Sequence, residues 1–194
     1  AGTETIVNNG SVSATATTRL TQVDVAATFL GLSIVDRGPT DASTALDARA
    51  TGIDATAARG GVAIGGAGSI GATAQSFVNV TGVSVSSEGV DASVPSLFSG
   101  PIATVGITAD STASGVRRGA GDDRVALAGP VTVQSSATAQ QQSADVGVSV
   151  FNLHVPTPGF SVVGAGTKAD ARAGGIESGA GNDQLSNAGT MTVD

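Results

Sequence analysis

Val146, Val148 and Val150 alternate with Gly147 and Ser149, and Val12, Ala14 and Ala16 alternate with Ser13 and Thr15. A period of two puts every second side chain on one face of a strand, so these stretches read as strands buried on one side. Ala169, Ala171 and Ala173 follow the same rule. Ala171-Arg172-Ala173 would also suit a helix by composition, but no apolar set recurs at helical spacing over a useful length. The expected secondary structure is β throughout. Turn signals are dense, at Arg37-Gly38-Pro39, Glu88-Gly89, Ser99-Gly100-Pro101 and Pro156-Thr157-Pro158-Gly159, where Gly and Pro punctuate the pattern.

The pattern repeats. Asn9-Gly10-Ser11-Val12-Ser13-Ala14 is followed by Ala67-Gly68-Ser69-Ile70-Gly71-Ala72, Ala128-Gly129-Pro130-Val131-Thr132-Val133 and Ala188-Gly189-Thr190-Met191-Thr192-Val193. The marker glycines stand 58, 61 and 60 residues apart. A second marker precedes each of the last three copies: Gly52-Ile53-Asp54, Gly115-Val116-Arg117 and Gly175-Ile176-Glu177. The same order at the same spacing describes about three imperfect units of ~60 residues. Their approximate bounds are 1–59, 60–118 and 119–178, with a further unit beginning at 179–194. The chain begins in mid-pattern at Ala1-Gly2 and reads as a segment of a longer repetitive protein.

Composition narrows the fold. Trp, Tyr and Cys are absent, Met191 is the one methionine, and there are five Phe. With 40% hydrophobic residues supplied largely by Ala and Val, the interior must be built from small side chains in regular layers. Aromatic residues, which each bury about 150–250 Å², are too few to close a globular core. A unit of ~60 residues without a disulfide is also marginal alone, and stacking on a neighbour removes that difficulty. The expectation is one continuous array over 1–194, an all-β parallel β-solenoid (β-helix). Rungs of about 20 residues would give each unit three rungs and a rise of roughly 14 Å, whereas rungs of about 30 would give two. A tandem β-sandwich is disfavoured, because about seven strands need near 100 residues.

A net charge of −7 with Lys168 as the only lysine argues against binding nucleic acid. No apolar run reaches the roughly 20 residues of a membrane helix, so membrane insertion is not expected. Acidic character is compatible with solubility and with cation binding.

One motif carries potential chemistry. Gly119-Ala120-Gly121-Asp122-Asp123-Arg124-Val125 and Gly179-Ala180-Gly181-Asn182-Asp183-Gln184-Leu185 occupy the same place in successive units. They resemble the nonapeptide of the RTX (hemolysin-type) calcium-binding family, Gly-Gly-x-Gly-x-Asp-x-aliphatic-x. The resemblance implies a Ca²⁺ site with Asp123 and Asp183 as carboxylate ligands, Asp122 and Asn182 beside them, and Gly119, Gly121, Gly179 and Gly181 shaping the turn. Val125 and Leu185 would be core plugs. Oxygen donors of this kind suit a hard cation. Arg118 and Ser178 replace the first glycine of the motif, and the aspartate position is Glu4 in the first copy and Val62 in the second. The alternative is a tight turn in which Gly and Asn accept positive φ and Asp caps its own backbone. With rungs of either length, Asp123 and Asp183 are expected to lie two or three rungs apart.

The remaining signals are weaker. His154 has no second His or Cys to work with and reads as a surface residue near a strand end. Arg117-Arg118 near Asp122-Asp123 could imitate the charged cluster of a β-helical polysaccharide lyase, but an Arg–Asp turn contact is the plainer reading. Asn79-Val80-Thr81 matches a glycosylation triplet, and the Phe residues read as loop plugs or end-layer fillers. Three functions follow. The first is a non-enzymatic module of a large extracellular bacterial surface or filament protein, a rigid stalk whose partners are neighbouring repeats or copies end to end. The second is an adhesin module that meets surface glycans or cell-surface partners through variable loops near 36–44, 86–102 and 155–161. The third is a β-helical carbohydrate-active enzyme.

Overall fold

In the computed structural model the described residues are 3–29, 32–36, 44–58, 60–88, 106–149 and 167–194, and all of their regular structure is strand. The expected class is met at that level: the chain is all-β and its sheets are dominated by parallel pairing. The strands are β1 (Glu4–Val7), β2 (Ser11–Phe29), β3 (Leu32–Asp36), β4 (Thr44–Ala55), β5 (Val62–Gly66) and β6 (Ser69–Glu88). They continue as β7 (Ile107–Arg118), β8 (Arg124–Leu127), β9 (Val131–Ser149), β10 (Thr167–Glu177), β11 (Gln184–Asn187) and β12 (Met191–Val193).

Each full unit supplies one strand to each of three sheets, and the first unit adds β3 to the long sheet. The short sheet runs β1-β5-β8-β11, the long sheet β3-β2-β6-β9-β12, and the third sheet β4-β7-β10. Pairing follows the sequence repeat directly: Val12 lies beside Ile70, Ile70 beside Val131, and Val131 beside Met191. This corrects the expected rungs of 20 or 30 residues. A whole unit adds a single strand level, a rise of about 4.8 Å rather than 14 Å. The reason is strand length, since β2, β6 and β9 run for 19, 20 and 19 residues, far beyond a usual strand of 5–6 residues. Ala171-Arg172-Ala173 lies in β10, a strand and not a helix.

The interior is a set of ladders. Ile64, Ile70, Val125, Val131 and Val133 are all at most 2% exposed, and they belong to a core cluster that draws on all three sheets. A second cluster, around Val78, Ile107 and Ala109, lies between the long and third sheets alone. Between them the two sheets come so close that hydroxyl groups span the gap. The buried Ser111 Oγ donates to the Ala74 carbonyl at 3.0 Å, and Ser135 Oγ donates to the Ser111 carbonyl at 3.0 Å. The two hydroxyls also touch each other. Only small residues fit such a gap, which accounts for the Ala- and Ser-rich composition.

The second marker glycine has a structural cause. Inward-facing positions on β7 are odd-numbered as far as Ala113 and even-numbered at Val116 and Arg118, and β4 changes face in the same way between Ala50 and Ile53. Gly52, Gly115 and Gly175 stand at this switch. A Cβ on Gly115 would lie 2.5 Å from the Gly175 carbonyl oxygen and 2.8 Å from Val131 Cγ1. The strand bends there against the strand of the next level, and no side chain fits.

Part of the chain's first edge is covered from within. β3 folds back antiparallel onto β2, with Val25 opposite Asp36 and Phe29 opposite Leu32. Phe77 departs from expectation, since it stands within β6 with the Arg19 guanidinium 5.2 Å from its ring and is not a loop plug. Asn79 likewise lies in β6. His154, Phe98, Phe151, Phe160 and most of the loops near 36–44, 86–102 and 155–161 lie outside the described residues.

Candidate functional site

The turns that lead from the third sheet into the short sheet bring the motif residues together. The second of these turns runs from Arg118 to Asp123 and the third from Ser178 to Asp183. Gly121 and Gly181 hold φ near 140° and 145°, a region costly for any side chain, so both must be glycine. Gly119 and Gly179 stack one above the other with no room for a Cβ between them. The sequence expectation placed Asp123 and Asp183 several rungs apart, whereas they occupy adjacent levels, with the Asp123 N–H donating to Asp183 Oδ1 at 3.1 Å. Val62 stands one level before Asp123, and its N–H donates to Asp123 Oδ1 at 2.8 Å. Each aspartate therefore caps the backbone of the previous level at its own position.

The second oxygen of each carboxylate faces a different partner. Arg118 Nη1 lies 3.4 Å from Asp123 Oδ2 and Nη2 lies 3.6 Å from Asp183 Oδ2. The side chains of Arg118 and Asp123 are 0% and 1% exposed, and that of Asp183 is 11% exposed. Arg118 was singled out in the sequence only as a departure from the glycine motif, so its burial between two carboxylates went unforeseen. Asp122 and Asn182 lie on the exposed side of the turn, where the Asn182 N–H donates to Asp122 Oδ1 at 2.9 Å. Among the described residues no three acidic or imidazole groups converge on one point.

The cluster expected to imitate a lyase site divides in two. Arg117 turns outward to Glu177, with Nε 3.0 Å from Oε2, while Arg118 and Asp123 turn inward. The cluster therefore offers no solvent-facing acid and base aimed at one point.

A second arrangement escaped the sequence reading. Asp47, Asp110 and Asp170 sit side by side on β4, β7 and β10, along a shallow groove of about 200 Å³ that Arg49, Thr112, Lys168 and Arg172 also line. Arg49 holds Asp47 at 2.7 Å and Lys168 holds Asp170 at 2.5 Å. The lysine ammonium and its hydrogen bond keep the Asp170 carboxyl below the usual carboxylate range. Spacings of 63 and 60 residues would have revealed this row had acidic positions been aligned as the glycines were. The outward positions of β2, β6 and β9 carry Ser13, Thr15, Thr73, Gln75, Thr132 and Gln134 instead, so charge gathers on the third sheet.

Comparison with family models, with curated proteins and with solved structures finds no match to this chain. The class defined by the fold is an all-β stacked-repeat array with parallel sheets, and the functional reading rests on its physical features.

Proposed function

We propose that this chain is a structural repeat module of a large extracellular bacterial surface or filament-forming protein, a stiff β-solenoid stalk that extends end to end. In this reading each ~60-residue unit is one wide coil, and adding a unit lengthens the stalk by one strand spacing.

The observation that carries the reading is the repetition of one level in register. Ile6, Ile64, Val125 and Leu185 form one ladder, and Val12, Ile70, Val131 and Met191 another. The inner members Ile64, Val125, Ile70 and Val131 are at most 2% exposed. Each level is thus covered by the next through the same pairing, in the register that a further level of the same kind requires. Open strand edges invite pairing unless they are covered. Stiffness follows from three sheets hydrogen-bonded along the stacking direction.

The test is association at the open edge. The Asp194 N–H donates to Val133 and the Thr190 carbonyl accepts from Val131, so by strand alternation Val193 turns its N–H away from β9. Val193→Pro removes that donor and spares the pairing to β9. Sedimentation velocity is expected to show a mass that rises with concentration for the native chain and stays monomeric for the variant. A monomer at every concentration, or association that the variant retains, would count against the reading.

A further inference from the structure

Arg118 is the buried group that ladder packing leaves unexplained. Its side chain has no solvent exposure, yet none of Nε, Nη1 and Nη2 has a hydrogen-bond partner among the described residues. A guanidinium carries five donors, and a buried one is ordinarily tied down by several of them. What Arg118 has instead is charge, since Asp123 Oδ2 and Asp183 Oδ2 flank it at 3.4 and 3.6 Å. Each carboxylate gives its Oδ1 to the backbone of the previous level and turns its Oδ2 to this one cation.

We propose that the Arg118 guanidinium is the resident cation of the turn stack and stands in the place of a divalent metal between Asp123 and Asp183. Calcium needs 6–8 oxygens at about 2.3–2.6 Å. The two carboxylate oxygens not bound to backbone already face a fixed positive group, and Asp122 and Asn182 lie on the exposed side with Asp122 Oδ1 accepting an N–H. A metal ion at this point would sit beside the guanidinium with too few donors to offset the repulsion.

The neighbouring turns hold other residues at these positions. Register places Ala55 beside Arg118, and Val62 holds the aspartate position of the same turn. At that level neither of the two positions is charged, and Arg59 of the same turn lies outside the described residues. In the third turn Ser178 replaces the arginine while Asp183 remains, and Asp183 draws on Arg118 from the level below. One arginine therefore serves two aspartates a single strand spacing apart. Arg118 occupies the position of the first motif glycine, so the residue that breaks the motif is the one that supplies the charge.

The test is calcium dependence in Arg118→Ser, which installs the residue found at this position one turn later. Thermal unfolding and calorimetric titration with calcium chloride are compared for native chain and variant, in EDTA and in millimolar calcium. The native chain is expected to unfold at the same temperature in both and to give no saturable heat. R118S is expected to unfold at lower temperature in EDTA, to recover with calcium, and to show saturable heat. Native calcium binding that Asp123→Asn abolishes would overturn the proposal, as would a folded R118S that ignores calcium. If R118S folds under neither condition, Arg118→Ala with Asp123→Val, a copy of the Ala55 and Val62 pair, decides the matter. The double variant is expected to fold and to ignore calcium, and its failure to fold would overturn the proposal. The proposal is independent of the stalk reading, because edge association can fail while the calcium response stands.

Discussion

Gly115→Ala tests the claim that the recurrent glycine marks a bend pressed against the next level. The added Cβ would lie 2.5 Å from the Gly175 carbonyl oxygen, 2.8 Å from Val131 Cγ1 and 3.1 Å from Val133 Cγ2. The valine methyls can turn aside a little, but the carbonyl belongs to the backbone of β10 and is held by the Ile176–Val116 and Glu177–Arg117 pairing. Overpacking of this kind costs about 1–3 kcal/mol, which outweighs the ~0.4–1 kcal/mol gained by stiffening the unfolded chain. At about 2–4 °C per kcal/mol for a chain of this size, a net loss of 1–2 kcal/mol lowers the unfolding midpoint by roughly 2–8 °C. Gly106→Ala is the internal control, because a Cβ there meets nothing within 4 Å among the described residues. It is expected to leave the midpoint unchanged or raise it slightly. Scanning calorimetry of the two variants side by side checks the difference, and equal midpoints would refute the close approach at Gly115.

Two further outcomes follow from the narrow gap and from the surface carboxylates. Ser111→Ala removes the hydroxyl bonds to Ala74 and Ser135 and is expected to cost about 0.5–1.5 kcal/mol in urea unfolding. Ser111→Val is expected to cost about 1–3 kcal/mol more, although valine is the better strand former; a more stable valine variant would show that the sheets are not in tight contact. Asp54 Oδ1 accepts the Thr56 hydroxyl at 2.6 Å and the Thr56 N–H at 3.0 Å, and these bonds, with the Arg117 charge, hold its carboxyl below the ordinary aspartate value. A depressed folded value favours the native state above the unfolded value and ceases to do so as pH falls through the folded one. The stability gap between the native chain and Asp54→Asn is therefore expected at neutral pH and should close in acid, and a gap that persists unchanged below that range would show that the Thr56 bonds do not depend on ionisation.

Much of the fold was legible because its ladders are built from identical or similar residues. Ile6, Ile64, Val125 and Leu185 stack in one column, and the glycine columns stack beside them, so a repeat of ~60 residues appeared without any alignment. The size of a level was not legible. A run such as Ser69–Glu88 alternates polar and apolar residues over much of its length without saying how far the strand extends before it bends. A usual strand length therefore divides it into several. The error reached the site directly, because it separated Asp123 and Asp183, which the fold sets on adjacent levels. The glycines of the motif announced the turn through their conformational freedom. Arg118 announced nothing, because a lone arginine beside a turn looks the same in sequence whether it faces water or two buried carboxylates.

The same geometry explains why the interior, among the described residues, tolerates one buried ionic set and otherwise excludes charge. Across the narrow part of the array, serine hydroxyls already reach the carbonyls of the opposite sheet, so a longer polar side chain has no space. Near the turns the short sheet holds the other two apart, and that is where Ile64, Val125 and Leu127 gather. A guanidinium fits there only at a turn, where backbone N–H groups fix the two carboxylates before the cation is placed. Burying such a set seldom adds stability over an apolar equivalent, and the first turn manages with Ala55 and Val62. What the set can add is register. An aspartate that must meet both a particular N–H and the arginine of the level below cannot slide by one residue without leaving a buried charge unpaired. Among long parallel strands whose ladders of alanine, valine and serine look alike at several offsets, a fixed point of that kind distinguishes the correct alignment from its near neighbours.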